Sequence, residues 1–186
     1  MNYLSGLYRL VFSILVLAAL SAHAKKLDFI TLQDPPIATS ITGWAYQVSN
    51  LVNKHDWNGL LSLTRLWTEE EPENALAWSL LGIANYALKQ SIQAIDAYRR
   101  ALYLKPEDAE SWNNLGNAYD QLEQVEMGIE SYLEAVRIKP DFVEAWYNLG
   151  MNYQRKGQAE KAKEVYLVLY KLDPHTAEKF FTHIVH

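Results

Sequence analysis

The 186-residue chain contains no cysteine. That absence excludes disulfides, zinc–thiolate sites, covalent c-type haem attachment and an N-terminal lipidated cysteine. Also missing are the phosphate loop G-x-x-x-x-G-K-[ST], the dinucleotide fingerprint G-x-G-x-x-G, the nucleophile elbow G-x-S-x-G and the zinc motif H-E-x-x-H. The familiar carriers of nucleotide, acyl-transfer and metallopeptidase chemistry are therefore absent. Positive charge is scarce: 17 Lys and Arg face 22 Asp and Glu. The net charge of −5 argues against nucleic acid or an anionic membrane surface as partner. What is present is a hydrophobic fraction of 49% and a charged fraction of 21%, the profile of a folded chain with a sizeable core.

Charge is also scarce at the start, where Arg9 is the only charged residue before Lys25. An apolar run of 11 residues, 10–20, is followed by Ala22-His23-Ala24. This is the layout of a secretory signal peptide over residues 1–24, with cleavage expected after Ala24. The run is shorter than the roughly 20 residues of a membrane span. No membrane insertion is expected after cleavage, and the expected location is a bacterial periplasm. The alternative is an uncleaved N-terminal anchor in the inner membrane. Cleavage removes Arg9 and makes the mature chain one charge more negative. Residues 25–40 read as an extended lead-in, because Asp34-Pro35-Pro36 forbids helix. Leu27, Phe29, Ile30 and Leu32 are too apolar for a free linker. They lie against the first helices or form a short strand.

The rest of the chain repeats itself. Trp78, Trp112 and Trp146 are 34 residues apart. The same step separates Leu81, Leu115 and Leu149, then Gly82, Gly116 and Gly150, then Tyr98, Tyr132 and Tyr166, then Pro106, Pro140 and Pro174. In the middle copy Trp112, Leu115 and Tyr119 stand on one helix face. Helix A is expected over 109–121 and helix B over 125–138, ended by Pro140. Gly116 costs about 1 kcal/mol inside a helix relative to Ala, so close packing against Gly128 and Ala135 of helix B is its expected reason. Ala94, Ala101 and Ala162 take that part in the other copies. Asn74 and Asp108 are expected N-caps.

A 34-residue period with W-x2-L-G, a late aromatic and a closing Pro resembles the tetratricopeptide repeat. The resemblance implies an all-α right-handed superhelix of antiparallel helix pairs. Its full copies are 75–108, 109–142 and 143–176. Residues 41–74 form a degenerate first repeat, with Trp44 and Pro72 in step but Gln47 and Val48 where Leu-Gly belongs. Residues 177–186 supply a capping helix through Ala177, Phe180, Phe181 and Ile184.

In this family helix A lines the concave face, and the resemblance picks out the groove positions. They are Leu76, Ser79, Leu80, Ile83, Tyr86 and Ala87; then Glu110, Asn113, Asn114, Asn117, Asp120 and Gln121; then Glu144, Tyr147, Asn148, Met151, Gln154 and Arg155. The expected groove has an apolar end at Leu80, Ile83 and Tyr86 and an amide-rich middle. Carboxamides both donate and accept, which suits an extended peptide. Asn117 and Asn148 are expected to hold one peptide unit, with Leu80, Ile83 and Met151 accepting apolar side chains. A carboxylate clamp is not expected, since the second and fifth positions carry no Lys or Arg.

The resemblance implies a non-enzymatic scaffold with a protein or peptide partner, no cofactor and no metal. His183 and His186 share a spacing that metal ligands use, but sit at a terminus without a carboxylate partner. Similar exported repeat proteins serve cytochrome c maturation, pilus assembly and envelope-complex assembly. The alternatives are an accessory subunit of an envelope enzyme and a scaffold that self-associates through an open superhelix end. Oligomeric state is left open.

Overall fold

The structure, a computed structural model, describes residues 41–184. The expected signal peptide, its cleavage site, the lead-in and His186 lie outside the described residues, as does the side chain of His183. The described residues form nine helices and no strand: α1 Ile41–Asn53, α2 Trp57–Glu70, α3 Ala75–Ala87, α4 Ser91–Leu104, α5 Ala109–Gln121, α6 Val125–Ile138, α7 Val143–Arg155, α8 Ala159–Leu172 and α9 Pro174–Ile184. Each helix packs on the next, and α9 packs on both α7 and α8. The result is an all-α superhelix of helix pairs. Among the described residues no helix is long and apolar enough to cross a membrane.

The fixed spacings have local causes. Each helix A tryptophan latches its own entry loop. Trp78, Trp112 and Trp146 donate their indole N–H to the carbonyls of Pro72, Pro106 and Pro140, each at 2.8 Å. The carbonyl left free where a proline follows a helix end thus finds a donor. Each A-to-B turn uses one left-handed residue: His55, Lys89, Glu123 and Gly157, with φ between 55° and 68°. Only the last is the glycine that this C′ conformation favours.

Gly116 is a site of close approach, but its neighbour differs from expectation. A Cβ there would lie 2.5 Å from Cε1 of Tyr132, and one at Gly82 would lie 2.5 Å from Cε1 of Tyr98. The late aromatic of each repeat, not Gly128 and Ala135, fills the space over the helix A glycine. Gly128 instead faces Asp120 and Asn152, each 2.7 Å from where its Cβ would be. In the last pair Phe180 of α9 covers Gly150, and Tyr166 turns to Tyr170 and Phe181 at centroid distances of 6.0 and 5.6 Å.

Asn74 caps α3 by accepting from the N–H groups of Leu76 at 3.0 Å and Ala77 at 3.2 Å. Asp108 does not cap α5 in this way. Its carboxylate accepts from the Ser111 hydroxyl, which also donates to Ser79 of the preceding repeat at 2.9 Å. A hydroxyl three residues on has displaced the backbone N–H as donor. Asp173 caps α9 through the N–H of His175 at 3.1 Å and the hydroxyl of Thr176 at 2.7 Å.

Candidate functional site

The A helices α3, α5 and α7 carry the expected groove residues, and they meet in two unlike seams. Between α5 and α7 the seam is polar. Asn148 Nδ2 donates to Asn113 Oδ1 at 3.2 Å and to Asn117 Oδ1 at 3.1 Å. Asn113 Nδ2 donates to Glu144 at 3.2 Å. Tyr132, reaching across from α6, donates bifurcated bonds to Asn117 Oδ1 at 2.7 Å and Asp120 Oδ2 at 2.8 Å. Asp120 Oδ1 also accepts from Asn152 Nδ2 at 2.7 Å and from Arg155 at 3.4 Å. Five residues of α5 and α7 and one of α6 thus form one connected network.

Its electrostatics keep each member in a fixed role. Burial pushes the Tyr132 hydroxyl well above its ordinary value, with the Asp120 charge adding to the shift, so Tyr132 stays a donor. Partial burial pushes the Asp120 carboxyl up from its ordinary value of 3.8, against the pull of Asn152, Tyr132 and Arg155. Gly128 makes the arrangement possible, because a side chain there would enter the space of the Asp120–Asn152 bond.

The network uses some expected groove residues internally and leaves others open. Asn113 and Asn114 are 1% and 5% exposed, so they are seam residues rather than open contacts. Both polar ends of Asn113 are satisfied within the seam, whereas Asn114 Nδ2 is buried without an acceptor. Asn117 and Asn148 are half-buried. Each keeps one polar atom outside the network: Asn117 Nδ2, a donor, and Asn148 Oδ1, an acceptor, have no partner among the described residues. Asp120 is half-buried and Arg155 exposed, and each is tied to the other.

Between α3 and α5 the corresponding seam is apolar. Leu80 and Ile83 are 2% and 1% exposed and belong to the core that runs from α1 to α5. They are not open subsites, which corrects the expected apolar end of the groove. Apolar side chains at these positions bury themselves between neighbouring repeats instead of waiting for a ligand. Tyr86 alone of that group stays half-open, packed on the core beside Lys89. Tyr147 and Met151 are half-buried at the far end, with Tyr147 edge-on to Phe180 at 5.9 Å. Among the described residues no group of three His, Asp or Glu could hold a metal ion.

Sequence reasoning passed over Tyr132 and Asn152. Tyr132 reads as core, and it is core, but its hydroxyl emerges in the seam. Asn152 had a visible signal: Ala84 and Ala118 hold that position in the two preceding copies.

Family models described as tetratricopeptide repeat match residues 109–142 and 143–176, and one described as TPR repeat matches residues 92–123. No curated protein matches the chain. Among solved structures, the crystal structure of MamA is 20% identical, covers 74% of this chain and 92% of that one, and superposes with a TM-score of 0.65. MamA 41-end from Desulfovibrio magneticus RS-1 is 25% identical over 72% of this chain and 75% of that one, with a TM-score of 0.66. YrrB, described as a TPR protein with an unusual peptide-binding site, is 18% identical over 77% of each chain, with a TM-score of 0.63. The repeats in the sequence, the stacked helix pairs and the family matches agree: this chain belongs to the tetratricopeptide repeat family.

Proposed function

We propose that this chain is a non-catalytic interaction scaffold, exported to a bacterial periplasm, that holds an extended segment of a protein partner along α5 and α7. One observation carries the reading. Asn117 Nδ2 and Asn148 Oδ1 sit side by side on neighbouring repeats, fixed by the 3.1 Å bond between their other ends. One open donor beside one open acceptor matches the C=O and N–H of a peptide unit. Because Tyr132 and Asp120 hold them in place, little rotamer freedom is lost on binding. Half-buried Tyr86 and Met151 flank this pair with apolar contact surface.

The test is capture from envelope extract by the mature domain, compared with two variants. Asn117→Ala/Asn148→Ala removes both open atoms. Asn113→Ala cuts the same network but removes neither. Partner loss in the double variant alone, with both variants still folded by circular dichroism, supports the groove. Retention in the double variant rejects it. Export is checked separately: the mature mass should begin at Lys25.

A second reading, self-association through the C-terminal end, is favoured by exposed Tyr170 and Phe181, 55% and 49% accessible, which flank Tyr166. A mass twice that of the monomer in light scattering, lost in Tyr170→Lys/Phe181→Lys, would establish it.

A further inference from the structure

The helix B side of the molecule carries a cleft of about 660 Å³ between α4, α5 and α6. Leu102, Trp112, Leu115 and Met127 form its floor, and Tyr103 and Leu133, 75% and 42% exposed, form its rim. Most of its polar groups are already engaged. Arg99 donates to the Tyr119 hydroxyl at 2.8 Å, and Glu134 accepts from Arg137 at 2.8 Å. Glu130 is exposed and paired with nothing among the described residues. The cleft is therefore apolar with one unmatched negative charge at its edge.

We propose that residues 25–32 of this same chain, KKLDFITL, occupy it. The segment offers what the cleft lacks: two cations, Lys25 and Lys26, and then Leu27, Phe29 and Ile30. Lys25 and Lys26 answer Glu130, while the apolar side chains cover Leu102, Tyr103 and Leu133. Exposed apolar surface of this kind is a driving force for such cover.

The topology allows it. Helices alternate in direction along the stack, so the start of α1, the end of α4 and the start of α5 share one edge. Leu102 and Tyr103 stand at that edge near the end of α4, and Trp112 near the start of α5. Neighbouring helices lie about 8–10 Å apart, so the cleft is on the order of 25 Å from Ile41. Nine residues separate Leu32 from Ile41. Held extended by Pro35 and Pro36, they span up to about 30 Å. Docked there, the segment closes the helix B side to other partners and leaves the α5–α7 face for recognition.

The test uses the exported, full-length product with a photo-reactive benzoylphenylalanine in place of Phe29. The expected result is a cross-link within one chain to peptides containing Leu102, Tyr103 or Leu133, with a yield independent of protein concentration. Glu130→Lys, at an exposed position, should lower that yield several-fold without changing the melting temperature. Cross-links confined to α1–α3 would overturn the proposal, as would an unchanged yield in Glu130→Lys. A concentration-dependent link to a second copy would overturn it too, and so would a link only to a co-purifying protein.

Discussion

The two seams between A helices are built on the same repeat positions and reach opposite solutions. At the sixth and ninth positions α3 has Leu80 and Ile83, which are buried in the core. At the same positions α5 has Asn114 and Asn117, and α7 answers with Asn148. The apolar seam gains stability from burial and offers a partner little. The polar seam gains only the modest net energy of each hydrogen bond, about 1 kcal/mol, yet leaves open donor and acceptor atoms at fixed positions. A repeat scaffold thus divides its length into a part that holds the stack together and a part that can recognise. The backbone is the same in both, and only the side chains at two or three positions differ.

The broadest disruption removes what the two regions share. Gly116→Leu drives a side chain into the Tyr132 ring, and Gly82→Leu does the same to Tyr98. Each should cost about 3 kcal/mol or more, a large part of a domain's stability. Thermal melts should show equal losses. A melt unchanged in either variant would mean that the ring is free to move aside.

Exchanging seam residues sharpens the contrast. Ile83→Asn puts an unpaired amide into the apolar seam and should cost about 3 kcal/mol. The reverse exchange, Asn117→Ile, should cost only about 1 kcal/mol, because Tyr132 keeps Asp120 and Asn148 keeps Asn113. Urea titrations of the two variants test this asymmetry; equal costs would erase the distinction between the seams.

Asp120→Asn attacks the polar seam at its most connected residue and should cost about 1–2 kcal/mol at neutral pH. It also reveals the titration. The folded state raises the Asp120 pKa from 3.8, so the group favours the fold more when protonated. That contribution is full below 3.8 and is lost as pH rises through the raised folded value. The advantage of wild type over Asp120→Asn should therefore grow as pH falls through this window. Asp173 has the opposite sign, because its bond from Thr176 lowers its pKa. Its support of α9 is present at neutral pH and fades in acid below the ordinary carboxylate range. Melts of the two variants across pH should diverge in opposite directions.

The smallest effect belongs to Asn114→Leu. Asn114 Nδ2 is buried without an acceptor, so removing it should be neutral or slightly stabilising. A loss above about 1 kcal/mol would show that Asn114 makes a bond through its other atom that stability needs.

Much of the fold was legible because its determinants are local. Helix periodicity, the Trp-to-Pro step and the proline stops act within a few residues, so the middle repeat's helices at Ala109–Gln121 and Val125–Ile138 could be drawn from the sequence. The groove was only partly legible. The family pattern named the right face of α5 and α7, and it brought Asn117 next to Asn148. It did not reveal that Asn113 is used up within the seam.

The sequence by itself determined the repeat, the helix pairs and the residues that face neighbouring A helices, since each follows from spacing along one helix. The tertiary structure decided which of those residues remain open. Exposure depends on partners about one repeat away: Asn148 for Asn113 and Asn117, Asn152 and Arg155 for Asp120. It also chose Tyr132 as the neighbour of Gly116 and Ser111 as the donor to Asp108. Those choices are settled by side-chain volume and by competition among nearby donors, and both exist only once the helices have stacked.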